Sequence, residues 1–273
     1  MISRIPHLLQ VNGDILDIRG KSVCLYLDYD GTLTPIVSDP ADATLDPEMY
    51  GMLLELVSLC SVGIVTGRGY DLVSGFLKKQ LCERVCVAAS HGFDIRLSDG
   101  RCKQVGDADH TSELSRFNSY LLSHLDRFPS GCTMERTDYS ISLHYRHVPT
   151  ALHASVESTL TEMLRAFSGL VVTGGKMVFE VRLNVDWDKG TAVEWILDQT
   201  ILRTHTPDKI CVVYIGDDLT DEDGFRAVQK YPNNLCVIVA ESLDRPTLAS
   251  ARLRDPEEVK KFLRQLRDVL RLE

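Results

Sequence analysis

Two aspartates stand two residues apart in Leu25-Tyr26-Leu27-Asp28-Tyr29-Asp30-Gly31-Thr32, where an apolar run gives way to a glycine-containing turn. Val23-Cys24-Leu25-Tyr26-Leu27 reads as a buried strand of a parallel sheet. In open α/β sheets, ligands bind outside the carboxyl ends of the strands, so acids at such an end are displayed to a site. Paired carboxylates there suit cation binding, nucleophilic attack and proton transfer. The plainer alternative is a solvated turn, since Asp-Gly is also a common turn pair. A second acidic run, Asp217-Asp218-Leu219-Thr220-Asp221-Glu222-Asp223, follows the apolar run Ile210–Ile215. It fits either ligands at a strand end or acids at a helix N-terminus, where they favour the macrodipole. Neither run has the spacing of an EF-hand calcium loop. Lys189, at a helix start, fits a fixed charge in a site or a salt bridge.

The elements that must position these groups alternate. Pro47 and the apolar Leu53, Leu54, Leu56 and Val57 predict a helix over 47–60; Ser61–Val65 reads as a short buried strand. A helix near 69–80 leads to a strand at Val85–Ala89, then Ser90-His91-Gly92. Strand–helix alternation predicts a doubly wound parallel sheet. The pattern changes near residue 93. Phe93–Leu97 and Cys102–Val105 read as a hairpin around Asp99-Gly100. A helix near 109–127 follows, then a strand in which Ile141, Leu143 and Tyr145 alternate with polar residues, a helix over 150–167, and strands near 169–173 and 176–183. The first pattern then resumes with a helix after Lys189-Gly190, strands at Ile210–Ile215 and Leu235–Val239, and a closing helix over 256–270. Asp255 caps that last helix, and its apolar stripe runs from Val259 to Leu270.

Asp-x-Asp-Gly-Thr after a buried strand resembles the first motif of the haloacid dehalogenase-like phosphatases. The longer string through Pro35-Ile36-Val37 to Pro40 resembles their trehalose-6-phosphate phosphatase branch. Further matches run in family order over about residues 22 to 240: Ile64-Val65-Thr66-Gly67-Arg68, Ser90-His91-Gly92, Gly175–Arg182, Asp186-Trp187-Asp188-Lys189-Gly190 and Gly216–Asp223. The resemblance implies a doubly wound α/β core over 1–100 and 182–273, with an inserted smaller α/β cap at 101–181. Leu183 stands where the family often has proline, and Ala89 where glycine is common before Ser-His-Gly; neither supplies a reacting group.

The resemblance also implies roles. Asp28 becomes the nucleophile, Asp30 the general acid and then base, Thr66 and Lys189 the holders of the phosphoryl group. Mg²⁺ is the implied cofactor, on Asp28, the main-chain carbonyl of Asp30, Asp217 and either Asp218 or Asp221. Gly67, Arg68 and His91 are expected at the substrate, His91 being equally readable as a structural histidine. Sugar recognition falls to the cap through Lys176 and Glu180, four apart in a strand, with Glu135 and Arg146 flanking an Asp138-Tyr139 turn; surface salt bridges are their alternative reading. His144 is expected on the cap surface, and Trp187 and Trp195 in packing. Closure of cap on core would exclude water.

Composition narrows the field. With 44% hydrophobic and 25% charged residues, the 273-residue chain can build a sizeable core without staples. Eight scattered cysteines with no Cys-x-x-Cys pair read as reduced thiols. A net charge of −9 argues against nucleic-acid or anionic-membrane partners, so an anionic ester needs a metal and a few cations to invert the local field. No signal peptide or span-length apolar run is evident, which makes a cytoplasmic location the default; a monomer is the expected state. The substrate that the resemblance implies is trehalose 6-phosphate, with a trehalose-phosphate synthase as a candidate partner. The alternatives are sucrose 6-phosphate, mannosyl-phosphoglycerate, or a non-catalytic module supporting a synthase.

Overall fold

Successive residues of a strand face opposite sides of its sheet, and β1 (Ser22–Leu27) buries both. Val23, Leu25 and Leu27 join one apolar cluster, closed by α1 (Pro47–Leu56), α2 (Tyr70–Cys82) and the C-terminal α7 (Pro256–Leu270). Cys24 and Tyr26 join another, closed by α5 (Lys189–Gln199) and α6 (Asp221–Val228). Helices on both faces explain why the strand is apolar throughout.

The computed structural model describes residues 5–10, 18–37, 39–106, 108–175, 177–243 and 245–272. The chain divides into a larger unit, Met1–Gln104 with Trp187–Glu273, and a smaller one, Val105–Asp186. The larger unit's sheet also holds β2 (Ser61–Val65), β3 (Cys86–Ala89), β4 (Asp94–Arg96), β5 (Cys102–Gln104), β10 (Ile210–Gly216), β11 (Asn234–Val239) and β12 (Ala251–Leu253), in the order β12-β11-β10-β1-β2-β3-β4-β5. All neighbours are parallel from β12 to β3; the β3–β4 and β4–β5 pairs are antiparallel. The chain moves outward from β1 through β2 and β3, then returns to build from the other side of β1 through β10. The strand order therefore reverses between β1 and β10, where Leu27 lies level with Ile215. Such a switch point opens a crevice at the carboxyl ends of the strands.

The expected first boundary of the inserted module, residue 101, differs from the Gln104–Val105 division because Cys102–Gln104 pairs with β4 and stays with the large sheet. The second division falls at Asp186 rather than 181. The two-residue Asp99-Gly100 turn does not form. Arg96 pairs with Cys102, and residues 97–101 make a longer loop, closed by Leu97 N–H on the Arg101 carbonyl at 2.8 Å, with Gly100 at φ +85°. Along α7 the apolar stripe buries Val259, Phe262, Leu263 and Leu266, while Val269 is exposed.

The smaller unit is a four-stranded antiparallel sheet, β6 (Thr133–Arg136), β7 (Ser140–His144), β8 (Leu170–Gly175) and β9 (Val178–Leu183), in the order β6-β7-β9-β8. The helix α3 (Ala108–Leu122) packs on β7 and β9, and α4 (His153–Leu164) on β8. Ile141, Leu143 and Val181 are buried with Leu114, Phe117, Leu121, Val156 and Leu160. Alternation then puts Glu135, Ser142, Glu180 and Thr173, which are cross-strand partners in series, in one row on the sheet's other face. None of the eight cysteines is in a disulfide, and no described helix is long and apolar enough to cross a membrane.

Candidate active site

At the switch point the chain leaves β1 with Asp28 and β10 with Asp217. The Asp28 N–H still donates to the Ile215 carbonyl at 2.9 Å, which extends the parallel pairing by one residue. Leu33 and Thr34 N–H then return to the Tyr29 carbonyl, and Gly31 takes φ +80°. Glycine is required there twice over. The φ is left-handed, and a Cβ would come within 2.3 Å of the Asp217 carboxylate.

Lys189 reaches this point because Asp188 caps α5, accepting the Thr191 N–H at 2.8 Å and its hydroxyl at 3.0 Å. Gly190 lets that helix start approach α6; a Cβ would lie 2.3 Å from the Asp223 carbonyl. The buried Lys189 ammonium then donates to Asp28 Oδ1 at 2.7 Å and Asp221 Oδ1 at 2.8 Å. Asp221 is completely buried and fully occupied. Besides Lys189, its Oδ1 accepts the Tyr214 hydroxyl at 2.9 Å, and its Oδ2 accepts the N–H of Asp217 at 3.0 Å and of Asp218 at 2.9 Å. Asp221 thus shapes the loop that carries Asp217. Asp218 instead accepts the Leu219 N–H through Oδ1 at 2.6 Å.

The electrostatics follow from this crowding. Burial pushes the Asp28 carboxyl well above its ordinary value; Lys189 opposes the rise, and the charges of Asp221 and Asp217 add to it. Burial also works against the Lys189 ammonium, but Asp221 and Asp28 outweigh it and hold the lysine charged. Burial, with the charges of Asp221 and Asp28, keeps the Tyr214 hydroxyl protonated and donating. Single carboxylate oxygens of Asp28, Asp217 and Asp221 lie within 4.8 Å of one another. Three carboxyl groups thus face a single ammonium. An all-oxygen donor set of this kind fits a hard divalent cation, which would relieve the crowding of like charges.

The other expected residues divide clearly. Thr66, buried at the end of β2, accepts the Arg68 N–H through Oγ1 at 3.1 Å, and its carbonyl accepts the His91 N–H at 2.8 Å. His91 crowds Gly67, where a Cβ would stand 2.7 Å from the ring's Nε2. Ser90, His91 and Gly92 take φ of +48°, +56° and +91° in succession, strain of a kind that gathers at functional sites. Arg68 grips both oxygens of Asp30, Nε to Oδ2 and Nη2 to Oδ1, each at 2.6 Å. In the smaller unit, Glu135 and Glu180 share the polar row, with Ser142 between them. His144 Nε2 is 3.6 Å from Glu135 on that same sheet face. Arg146 does not flank the Asp138-Tyr139 turn; it lies past His144, at the other end of β7, and is exposed. Lys176 lies outside the described residues. Trp187 and Trp195 pack against the second core cluster, and Trp187 Nε1 donates to the Gly92 carbonyl at 2.8 Å.

Sequence reasoning missed Tyr214 and the Arg68–Asp30 pair. A tyrosine as the one aromatic residue in the apolar β10 was the available signal for the first. Nothing in spacing signals the second, whose partners are 38 positions apart.

The sequence profile of the trehalose-phosphatase family matches residues 26–257. The probable trehalose-phosphate phosphatase 2 of Oryza sativa subsp. japonica is 33% identical over 282 aligned positions, covering 96% of this chain and 72% of its own length. Trehalose-phosphate phosphatase B of Arabidopsis thaliana is 31% identical over 274, covering 97% and 72%. The C-terminal domain of the C. albicans trehalose-6-phosphate phosphatase superposes with a TM-score of 0.78 at 23% identity, over 97% of this chain and 98% of that one, a likeness of fold. The chain belongs to the trehalose-phosphatase family, phosphoric monoester hydrolases built on a haloacid dehalogenase-like core.

Proposed function

We propose that the chain hydrolyses trehalose 6-phosphate to trehalose and phosphate, with Asp28 as the nucleophile. The observation that carries this reading is the convergence of Asp28, Lys189, Asp217 and Asp221 at the strand-order reversal. Asp28 attacks phosphorus, the P–O bond to the sugar breaks, and the departing oxygen takes a proton from the Asp30 carboxyl. Asp30, now ionised, takes a proton from a water that attacks the aspartyl-phosphate, which returns Asp28 as a carboxylate and frees phosphate. Lys189 orients Asp28 and offsets charge on the phosphoryl oxygens, and Thr66 supplies a hydroxyl to one of them. Asp28, Asp217 and the Asp30 carbonyl would hold Mg²⁺, with Asp221, already saturated, fixing the loop that carries Asp217 and Asp218. When bound, the ion supplies the positive charge that lets a carboxylate meet a phosphate dianion.

Sugar selection falls to the smaller unit. Glu180 and Glu135, in one polar row, and Arg146 and Lys176 would bind hydroxyls, carboxylates and cations being suited to them. The test is a phosphate-release panel over trehalose 6-phosphate, sucrose 6-phosphate, mannosyl-phosphoglycerate and p-nitrophenyl phosphate, with Mg²⁺ and with chelator. Preference for trehalose 6-phosphate by about 100-fold in kcat/KM or more is expected, with loss on chelation and recovery on adding Mg²⁺. Equal turnover of all the esters removes the trehalose assignment. Absence of release from any ester favours a non-catalytic module.

A further inference from the structure

Every nitrogen of the Arg68 guanidinium already donates within the protein. Two of its nitrogens hold the Asp30 carboxylate in a two-pronged pair, both at 2.6 Å, and the third, Nη1, donates to the Pro40 carbonyl at 2.7 Å. Its central carbon lies 5.8 Å from the Tyr29 ring centroid and 5.4 Å from that of Phe76, two rings that themselves stack at 5.8 Å and 12°. The backbone is fixed as firmly. Arg68 N–H donates to Thr66 Oγ1, and the Arg68 carbonyl accepts the N–H of Ser90, the first residue of the left-handed trio. The side chain is only 12% exposed, whereas that of Asp30 is 35% exposed. An arginine that binds substrate phosphate presents its fork outward; this one spends its fork on a carboxylate that remains accessible.

We propose that Arg68 is a positioning residue, which holds the Asp30 carboxylate in one orientation through its planar fork and does not itself bind the substrate phosphate. This rests on Asp30 being the acid–base group. A group that must first give and then take a proton has to lie within hydrogen-bond reach of two different oxygens in turn, and a misplacement of about 1 Å costs on the order of 100-fold in rate. An aspartate on a mobile turn would wander. One clamped on both oxygens, by a cation itself flanked by two rings and a carbonyl, does not. Lysine cannot replace the clamp, because an ammonium is a point charge without the planar fork.

The test uses the full chain with Mg²⁺ and four variants: Arg68→Ala, Arg68→Lys, Asp30→Asn and the Arg68→Ala/Asp30→Asn pair. kcat and KM on trehalose 6-phosphate are measured, together with competitive inhibition by inorganic phosphate. Arg68→Ala and Arg68→Lys should both lower kcat about 100-fold, with KM and the phosphate inhibition constant within about twofold of the parent. Free guanidinium ion should restore part of the Arg68→Ala rate, and ammonium should not. The double variant should be no slower than Asp30→Asn alone. A tenfold rise in KM and in the phosphate inhibition constant with kcat intact would make Arg68 a phosphate ligand and overturn the proposal. So would full additivity of the two losses. Parental turnover in Asp30→Asn would instead fell the acid–base assignment beneath it. Should Arg68→Ala fail to fold by thermal unfolding, Arg68→Lys and its KM-against-kcat split carry the same decision.

Discussion

The acids of the larger unit and those of the smaller one are held in opposite ways. Asp28 and Asp221 are buried, share one ammonium, and in the case of Asp221 have every lone pair assigned. Glu135 and Glu180 stand on the polar side of an antiparallel sheet, and the Glu135 side chain is half exposed. A buried charge left without its partner costs several kcal/mol, whereas an exposed ion pair is worth about 1 kcal/mol or less. On the roles proposed above, the chemistry would be fixed by the fold itself, while recognition could be altered with little effect on stability.

The largest effect that tests this contrast comes from Lys189→Met. Removing the ammonium leaves Asp28 and Asp221 buried with no cation from the chain beside them, and should cost about 3–5 kcal/mol of unfolding free energy in denaturant titration. Turnover should fall by at least about 1,000-fold, since an electrostatic group at the reacting centre is lost. Asp28→Asn should lose as much turnover or more while keeping stability, because volume is retained and one of several crowded negative charges is removed. If Lys189→Met were as stable as the parent, the cluster would not be preorganised by its charges, and the distinction between the two units would fail.

How much of this was readable from the chain depends on whether the information was local. The strands Ser61–Val65 and Ile210–Ile215 and the closing helix 256–270 follow from apolar runs, Asp255 and Pro256, all local signals, and they form at or within one residue of where they were expected. Asp28, Lys189 and Asp217 stand at element ends, where local patterning is strong. What escaped is what only tertiary contact defines. The saturation of Asp221 depends on a tyrosine seven positions back and a lysine 32 back. The role of Arg68 depends on an aspartate and a proline carbonyl far upstream. Strand β6 was not located, since Thr-Met-Glu-Arg carries no strong apolar alternation, and its place comes from pairing with β7. The short β12 is likewise defined by tertiary pairing, with β11 on one side and a bridge to His7 on the other.

A smaller effect is expected from Glu180→Ala, which sharpens the comparison from the other side. Loss of one charge-assisted hydrogen bond to a sugar hydroxyl is worth about 1.5–3 kcal/mol, so kcat/KM on trehalose 6-phosphate should drop about 10- to 100-fold. Hydrolysis of p-nitrophenyl phosphate should be unchanged, and unfolding free energy should move by less than about 0.5 kcal/mol. Equal loss on both substrates would place Glu180 in the common chemistry and erase the division of labour.

The smallest effect asks whether depth, rather than membership of one unit or the other, sets the size of a carboxylate's contribution. Asp46 belongs to the larger unit but lies near its surface. It caps α1, accepting the N–H of Glu48 at 2.9 Å and of Met49 at 3.0 Å, and Lys260 of α7 stands 3.0 Å away. Partial burial works against its ionisation. The Met49 N–H, Lys260 and the Glu48 N–H outweigh that and hold the carboxyl below its ordinary value of 3.8. A carboxyl lowered in the folded state stabilises above its unfolded pKa, and that contribution drains away as pH falls through the lowered folded value. Asp46→Ala should therefore cost about 1 kcal/mol near neutrality, the worth of a helix cap. The gap from the parent should hold steady from about pH 5 upward and narrow below about pH 4. Asp46→Asn, which keeps a cap acceptor and loses the charge, should recover about half of it. Denaturant unfolding across that pH range reads all three. A gap for Asp46→Ala as large as that for Lys189→Met would mean that position in the larger unit, not burial, decides the outcome.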